Sequence, residues 1–220
     1  MGVVTSERLP RGQFYEASGT KTLIVLHHTV GGSALSSIRW WRDDPRVVGT
    51  AYIIERDGTV YETFPPQCWA WHIGIKDARI EQRSIGIELA SEGGLIEQDG
   101  KLWAFAGPSQ GGKLLGNADT LLGAGRVLKL TAPYRGFTWF DSYDEPQVTA
   151  AIALVDDLCT RFSVPRVLPV AVSQPSGDFR PYFAFEGVVH HAMMRKDKSD
   201  LHPGFAYSRL GAALGDPQWA

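Results

Sequence analysis

A glutamate set inside an otherwise apolar run constrains this chain more than any other residue. Residues 84–90 read SIGIELA, a short apolar stretch of the kind that forms a buried strand. Burying Glu88 there without a partner is expensive, so its side chain either meets an arginine or looks into a cavity. A second run, residues 22–27 (TLIVLH), lies between Gly19 and Gly31-Gly32 and ends on the pair His27-His28. A third strand is expected over residues 187–190, ending on the pair His190-His191.

The segments between these runs alternate with them. Residues 34–43 carry Leu35, Ile38 and Trp41 at helical spacing, behind Ser33 as an N-cap and ahead of Pro45 as a stop. Residues 51–55 and 59–63 read as a hairpin, because Asp57-Gly58 supplies the positive-φ positions of a tight turn. Gly86 marks a close approach by a neighbour. A further helix begins at Asp144, with Pro146 in its first turn and Gln147 placed to close a capping box. Its expected buried stripe is Val148, Ile152, Val155, Cys159 and Phe162, and Val164-Pro165 ends it. A last helix covers about 205–214. Strands alternating with helices imply an α/β fold, a mixed central β-sheet flanked by helices. The Gly-rich, polar stretch at about 93–143 reads as an insertion over the surface, with one hairpin at Asp99-Gly100. Nothing marks a linker, so one domain over 1–220 is expected, with its core at about 20–215.

Composition narrows the partners. Lys and Arg total 22 against 24 Asp and Glu, so no overall field draws the chain to nucleic acid or to an anionic membrane. Cys68 and Cys159 have no metal-ligand spacing and read as buried thiols. The first 13 residues lack an apolar signal-like core, and no 18-residue apolar run follows, so a chain cytoplasmic as synthesised is expected.

Chemistry concentrates in five places: His27-His28, Trp71-His72, Glu88, His190-His191 and the polar run 196–202. A catalytic zinc takes three protein ligands from His, Cys and carboxylate and leaves a fourth position open. His27, His190 and Asp200 are the candidates. Each has an ordinary alternative: a strand-end histidine is commonly a hydrogen-bonded structural residue, Glu88 can pair with an arginine, and the run Lys196, Asp197, Lys198, Asp200 would by itself be a solvated loop.

The motifs LIVLHHT (23–29), AYIIERDGTVYE (51–62), AWHIG (70–74), SIGIELA (84–90) and VVHHAMMRKDKSD (188–200) occur in the order seen in zinc-dependent N-acetylmuramoyl-L-alanine amidases. The chain resembles this family, which includes phage endolysins, a cell-wall recycling amidase and the peptidoglycan recognition proteins, over about residues 20–215. The resemblance implies their fold and hydrolysis of the amide joining N-acetylmuramic acid to L-alanine in peptidoglycan. It implies one Zn2+ per chain on His27, His190 and Asp200, with Glu88 as catalytic base and Lys198, two residues before Asp200, on the oxyanion. His72, with Trp71 and His28, is expected against the substrate.

Two departures from the family pattern matter. Leu201 and His202 separate Asp200 from Pro203-Gly204, which makes His202 a rival third ligand. Thr50 stands where some phage relatives carry a catalytic Tyr, which leaves the base to Glu88. The expected setting is a monomeric phage or prophage endolysin. The alternatives are a recycling amidase acting on anhydro-muropeptides and a peptidoglycan-binding module that does not cut.

Overall fold

The computed structural model describes residues 2–16, 19–169 and 175–215. In chain order its elements are β1 (Val3–Val4), β2 (Leu23–His28), α1 (Ala34–Asp43), β3 (Tyr52–Ile54), β4 (Val60–Glu62), α2 (Ala78–Arg83) and β5 (Ser84–Leu89). There follow β6 (Gly94–Gln98), β7 (Lys101–Ala104), β8 (Lys113–Asn117), α3 (Ala118–Gly123), β9 (Val127–Tyr134) and β10 (Phe137–Asp141). The chain closes with α4 (Glu145–Phe162), β11 (Gly187–His190), the single turn α5 (His191–Met194) and α6 (Tyr207–Leu214).

The apolar runs read from the sequence lie side by side. The main sheet has the order β1-β4-β3-β5-β2-β11. Strands β3, β5, β2 and β11 run parallel to one another, while β4 returns antiparallel to β3 through the Asp57-Gly58 turn. Strands buried on both faces read as continuous Val, Ile and Leu, and β2 is buried at all six positions. Helices α1, α4 and α6 bury Ile38, Leu154, Leu158 and Leu210 in the same core. The fold is thus a mixed α/β sheet flanked by helices.

Three local expectations change. No Ser33 side-chain cap forms on α1; Glu55 accepts the Ala34 N–H at 2.9 Å instead. Gln147 closes no capping box, because its amide is buried and donates to the Ile54 and Ala90 carbonyls at 3.0 Å each, tying α4 to two strand ends. Along α4 the buried stripe is centred on Leu154 and Leu158, with Ile152 and Phe162 at its half-buried margin. Gly86 does sit at a close approach: a Cβ there would lie 2.6 Å from Thr50 Cγ2 and 3.1 Å from His72 Nδ1.

The stretch at 93–143 is more ordered than its composition suggests. It forms an antiparallel sheet of order β8-β7-β6-β10-β9, with Asp99-Gly100 turning β6 into β7. This sheet has a small core of its own, built on Leu95, Leu102, Val127 and Trp139. It is fastened to the main body by ion pairs from Arg56 to Asp141 and from Lys113 to Glu92. Cys68 and Cys159 are buried and no disulfide joins them. Among the described residues no helix is long and apolar enough to cross a membrane.

Candidate metal centre and active site

Strand register assembles the site. In the parallel pair β2/β5, His27 lies opposite Glu88. In the parallel pair β11/β2, Val189 lies opposite Val25 and His190 opposite Leu26. One step further along that ladder, the residue level with His27 is His191. Neighbouring positions in register share a face and successive ones alternate, so Glu88 and His27 share a row with His191, the residue that directly follows β11.

Their ligand atoms converge with those of Asp200. His27 Nδ1 and His191 Nδ1 are 3.0 Å apart, and Asp200 Oδ2 lies 3.2 Å from the first and 3.0 Å from the second. Four ligands at 2.0–2.1 Å in a tetrahedron stand about 3.4 Å apart, so the cluster has nearly the spacing that a zinc ion demands. Among the described residues it is the only group of three such side chains placed to hold a metal.

The expected ligand His190 is not part of it. Its fully buried ring receives the Leu201 N–H on Nδ1 at 3.2 Å, with the Asp200 carbonyl 3.0 Å away, so it braces the backbone that carries Asp200. The reason is the alternation just described, which turns position 190 away from His27. His202 is also engaged elsewhere: Nε2 meets the Asp141 carbonyl at 3.1 Å, Nδ1 accepts the Gly204 N–H, and the ring stacks on Tyr143.

Hydrogen bonds behind the cluster fix the tautomers. His191 Nε2 faces the Ile73 carbonyl at 2.8 Å, so it carries the proton and Nδ1 is bare. The Ser84 hydroxyl donates to the Glu81 carbonyl, so it accepts from His72 Nε2 at 2.8 Å, and His72 Nδ1 is left to accept from His27 Nε2 at 2.9 Å. Both candidate ligands thus present a lone pair to one point, the arrangement outer partners impose at metal sites. The donor set fits zinc: two neutral imidazoles and a carboxylate. Burial, and then the neighbouring His191, lowers His27 to about 4. Burial raises Asp200, but the neighbouring His191 and His27 rings outweigh it and hold the carboxyl well below its usual range.

Among the described residues Glu88 meets no arginine. Its Oε2 is buried without a hydrogen-bond partner. Burial first, and the Asp200 charge second, push the carboxyl well above its ordinary value, with Lys198 pulling it down. The residue lines a cavity of about 900 Å³ together with His27, His191, Lys198 and Asp200. Trp71 lines it as well, beside Trp40, which is 55% exposed. Phe105, 58% exposed, and Phe137 reach the cavity from the second sheet.

His28 and His72 border the same cavity, but the protein occupies their ring nitrogens. His28 Nδ1 meets the Tyr143 hydroxyl at 2.9 Å, and both nitrogens of His72 are bonded as above. Thr50 is buried, with its hydroxyl on the Tyr52 carbonyl. The sequence reading missed Glu81, a fully buried carboxylate that accepts the N–H groups of His72, Ile73 and Gly74. No periodicity marks it, since it sits on a six-residue helix and acts on a loop.

These rings make stability depend on pH. Burial lowers His27 and His28 to about 4, His202 to about 3 and His72 well below its ordinary value. The unfolded chain takes up these protons near pH 6.5 and the folded chain only near 4 or below, so stability is lost as pH falls through that window. Glu81, Glu88 and Asp141, all pushed up by burial, act in the opposite sense, but the four lowered imidazoles outnumber these three carboxyls. Thermal melts of the metal-free chain should lose on the order of 5 °C or more between pH 6.5 and 4.5. A flat profile would mean that the rings are solvated.

The comparisons decide the family. The N-acetylmuramoyl-L-alanine amidase model matches residues 18–204. The chain belongs to that family. Solved structures share the amidase fold at low identity. The N-acetylmuramyl-L-alanine amidase AmiD from E. coli, in complex with anhydro-N-acetylmuramic acid-L-Ala-D-gamma-Glu-L-Lys, matches at TM-score 0.54 and 21% identity, over 92% of this chain and 62% of its own. The amidase LysC from Clostridium intestinale matches at TM-score 0.51 and 16% identity, over 98% of each chain. A mutant endolysin from Bacillus subtilis matches at TM-score 0.53 and 13% identity, over 98% of this chain and 99% of its own. This amidase-family chain thus spans less than two thirds of AmiD but nearly all of the other two. No curated protein matches its sequence.

Proposed function

We propose that the chain hydrolyses the amide between N-acetylmuramic acid and L-alanine in peptidoglycan, using one zinc ion held by His27, His191 and Asp200. The observation that carries this reading is the convergence of two bare Nδ1 atoms and one carboxylate oxygen within 3.0–3.2 Å of one another, in a cavity that also holds the unpartnered Glu88. Zinc at such a site supplies Lewis acidity, polarising a carbonyl and letting water ionise near neutral pH.

The protein's own groups do the rest. Glu88 takes the proton of the attacking water and returns it to the leaving amine of L-alanine, and a carboxyl held high by burial suits both transfers. Lys198 offers a cation to the oxygen that gains charge at the lactyl carbonyl, a contribution of about 10²–10³ in rate where preorganised donors do this. Trp71 and Trp40 face the sugar. His28 and His72 border the cavity with ring nitrogens engaged by the protein, His72 bracing His27 and His28 resting on Tyr143.

The polymer is the substrate we assign, in the setting of phage lysis, because an aromatic wall from the second sheet extends the cavity beyond the metal cluster. Product analysis after incubation with purified sacculi tests the bond. Free stem peptides beginning with L-alanine, and glycan strands stripped of peptide, are expected and should disappear with a chelator. Cleaved glycan with its peptides still attached would refute the reading. Faster turnover of soluble anhydro-muropeptides than of sacculi would place the enzyme in recycling instead.

A further inference from the structure

Glu81 is the buried acid for which the reaction has no use. It is 0% exposed and does not line the cavity, so it touches neither substrate nor the metal cluster. No Lys or Arg pairs with it among the described residues; its only ion-pair contact is His72 Nε2, at 3.5 Å. Instead three successive backbone N–H groups close on its two oxygens. Oε1 accepts from Ile73 and Gly74 at 3.1 Å each, and Oε2 accepts from His72 at 3.2 Å and from Ile73 at 3.3 Å.

The loop held in this way serves both histidines of the metal cluster. Its Ile73 carbonyl receives His191 Nε2–H, and its His72 ring receives His27 Nε2–H. The loop's flanks are fixed too: Lys21 Nζ donates to the Cys68 carbonyl on one side and to those of Gln82 and Ser84 on the other, at 2.7–3.0 Å. Arg195 adds bonds to the Ile73 and Gly74 carbonyls. Without Glu81 three N–H groups would lose their acceptor, the buried one of Ile73 with no water to replace it, a cost the loop would relieve by moving.

We infer that Glu81 is a positioning residue for the metal site: by clamping residues 72–74 it sets the Nε2–H tautomers of His27 and His191 and aims both Nδ1 atoms at one point. This rests on the ligand set proposed above, and it requires a carboxylate. An anion only accepts, whereas the amide of a glutamine would turn two N–H donors toward the loop's own N–H groups.

The test uses the full chain as wild type and as Glu81→Gln, with Glu81→Ala as the harsher variant. In the metal-free protein, long-range proton–nitrogen spectra of the imidazoles should show His27 and His191 as Nε2–H tautomers in the wild type and as mixtures in Glu81→Gln. Zinc affinity, measured by competition with a chromophoric chelator, should weaken about 10–100-fold, the usual cost of losing an outer partner. Gln147→Ala removes two buried hydrogen bonds outside the cavity. It should lower the melting temperature yet leave both tautomers unchanged and zinc affinity within about two-fold, as distant sites act independently. A folded Glu81→Gln protein with wild-type tautomers would overturn the inference. Because the tautomers are read without metal, a wild-type chain that takes up no zinc would refute the ligand set, while the spectra would still decide the role of Glu81.

Discussion

Replacing His191 by alanine should weaken zinc binding by more than about 100-fold, beyond what losing an outer partner costs, and should remove hydrolysis with it. The same change at His190 should leave zinc bound. The two residues are neighbours in sequence but not in environment. His191 Nδ1 stands 3.0 Å from both His27 Nδ1 and Asp200 Oδ2, whereas His190 Nδ1 faces the backbone of Asp200 and Leu201. His190→Ala instead removes a fully buried ring and strands the Leu201 N–H, a loss of about 1–3 kcal/mol of stability from the hydrogen bond alone. Chelator competition and thermal melts on both variants separate the outcomes. Zinc loss in His190→Ala with retention in His191→Ala would reverse the assignment.

Glu88→Gln should lower kcat by about 10²–10⁴, the range for removing a general acid–base, while zinc remains bound at one equivalent. The substitution keeps shape and removes the ability to hold a proton in transit. Glu88 is opposite His27 in the β2/β5 register, its Oε2 has no partner, and burial holds its carboxyl high. Release of stem peptides from sacculi, measured together with metal content, checks this. Full activity in a zinc-loaded Glu88→Gln protein would remove Glu88 from the mechanism.

What could be read in advance followed from local pattern. Strands β2, β5 and β11 appear as apolar runs because both of their faces are buried, and the Asp57-Gly58 turn announces β3 and β4. Helix α1 follows its Leu35, Ile38 and Trp41 spacing. The second sheet was legible only at Asp99-Gly100, since its core is small and its strands leave many positions exposed. Within the site, Glu88 stood out because a carboxylate in SIGIELA is costly to bury, and Asp200 and Lys198 do border the cavity. The choice between His190 and His191 depended on register, which no single run contains. Setting GVVH beside LIVLHH in parallel would have placed 191 level with His27. Glu81 and the bonded nitrogens of His72 depend on a loop folding back over a short helix, an arrangement without a periodic signature.

The ligand set can be seen in an anomalous difference map from crystals of the zinc-loaded chain, collected at the zinc edge. A single strong peak is expected, bonded to His27 Nδ1, His191 Nδ1 and Asp200 Oδ2 at about 2.0–2.2 Å. A peak ligated by His190 or His202, or no peak within reach of His27, would contradict it.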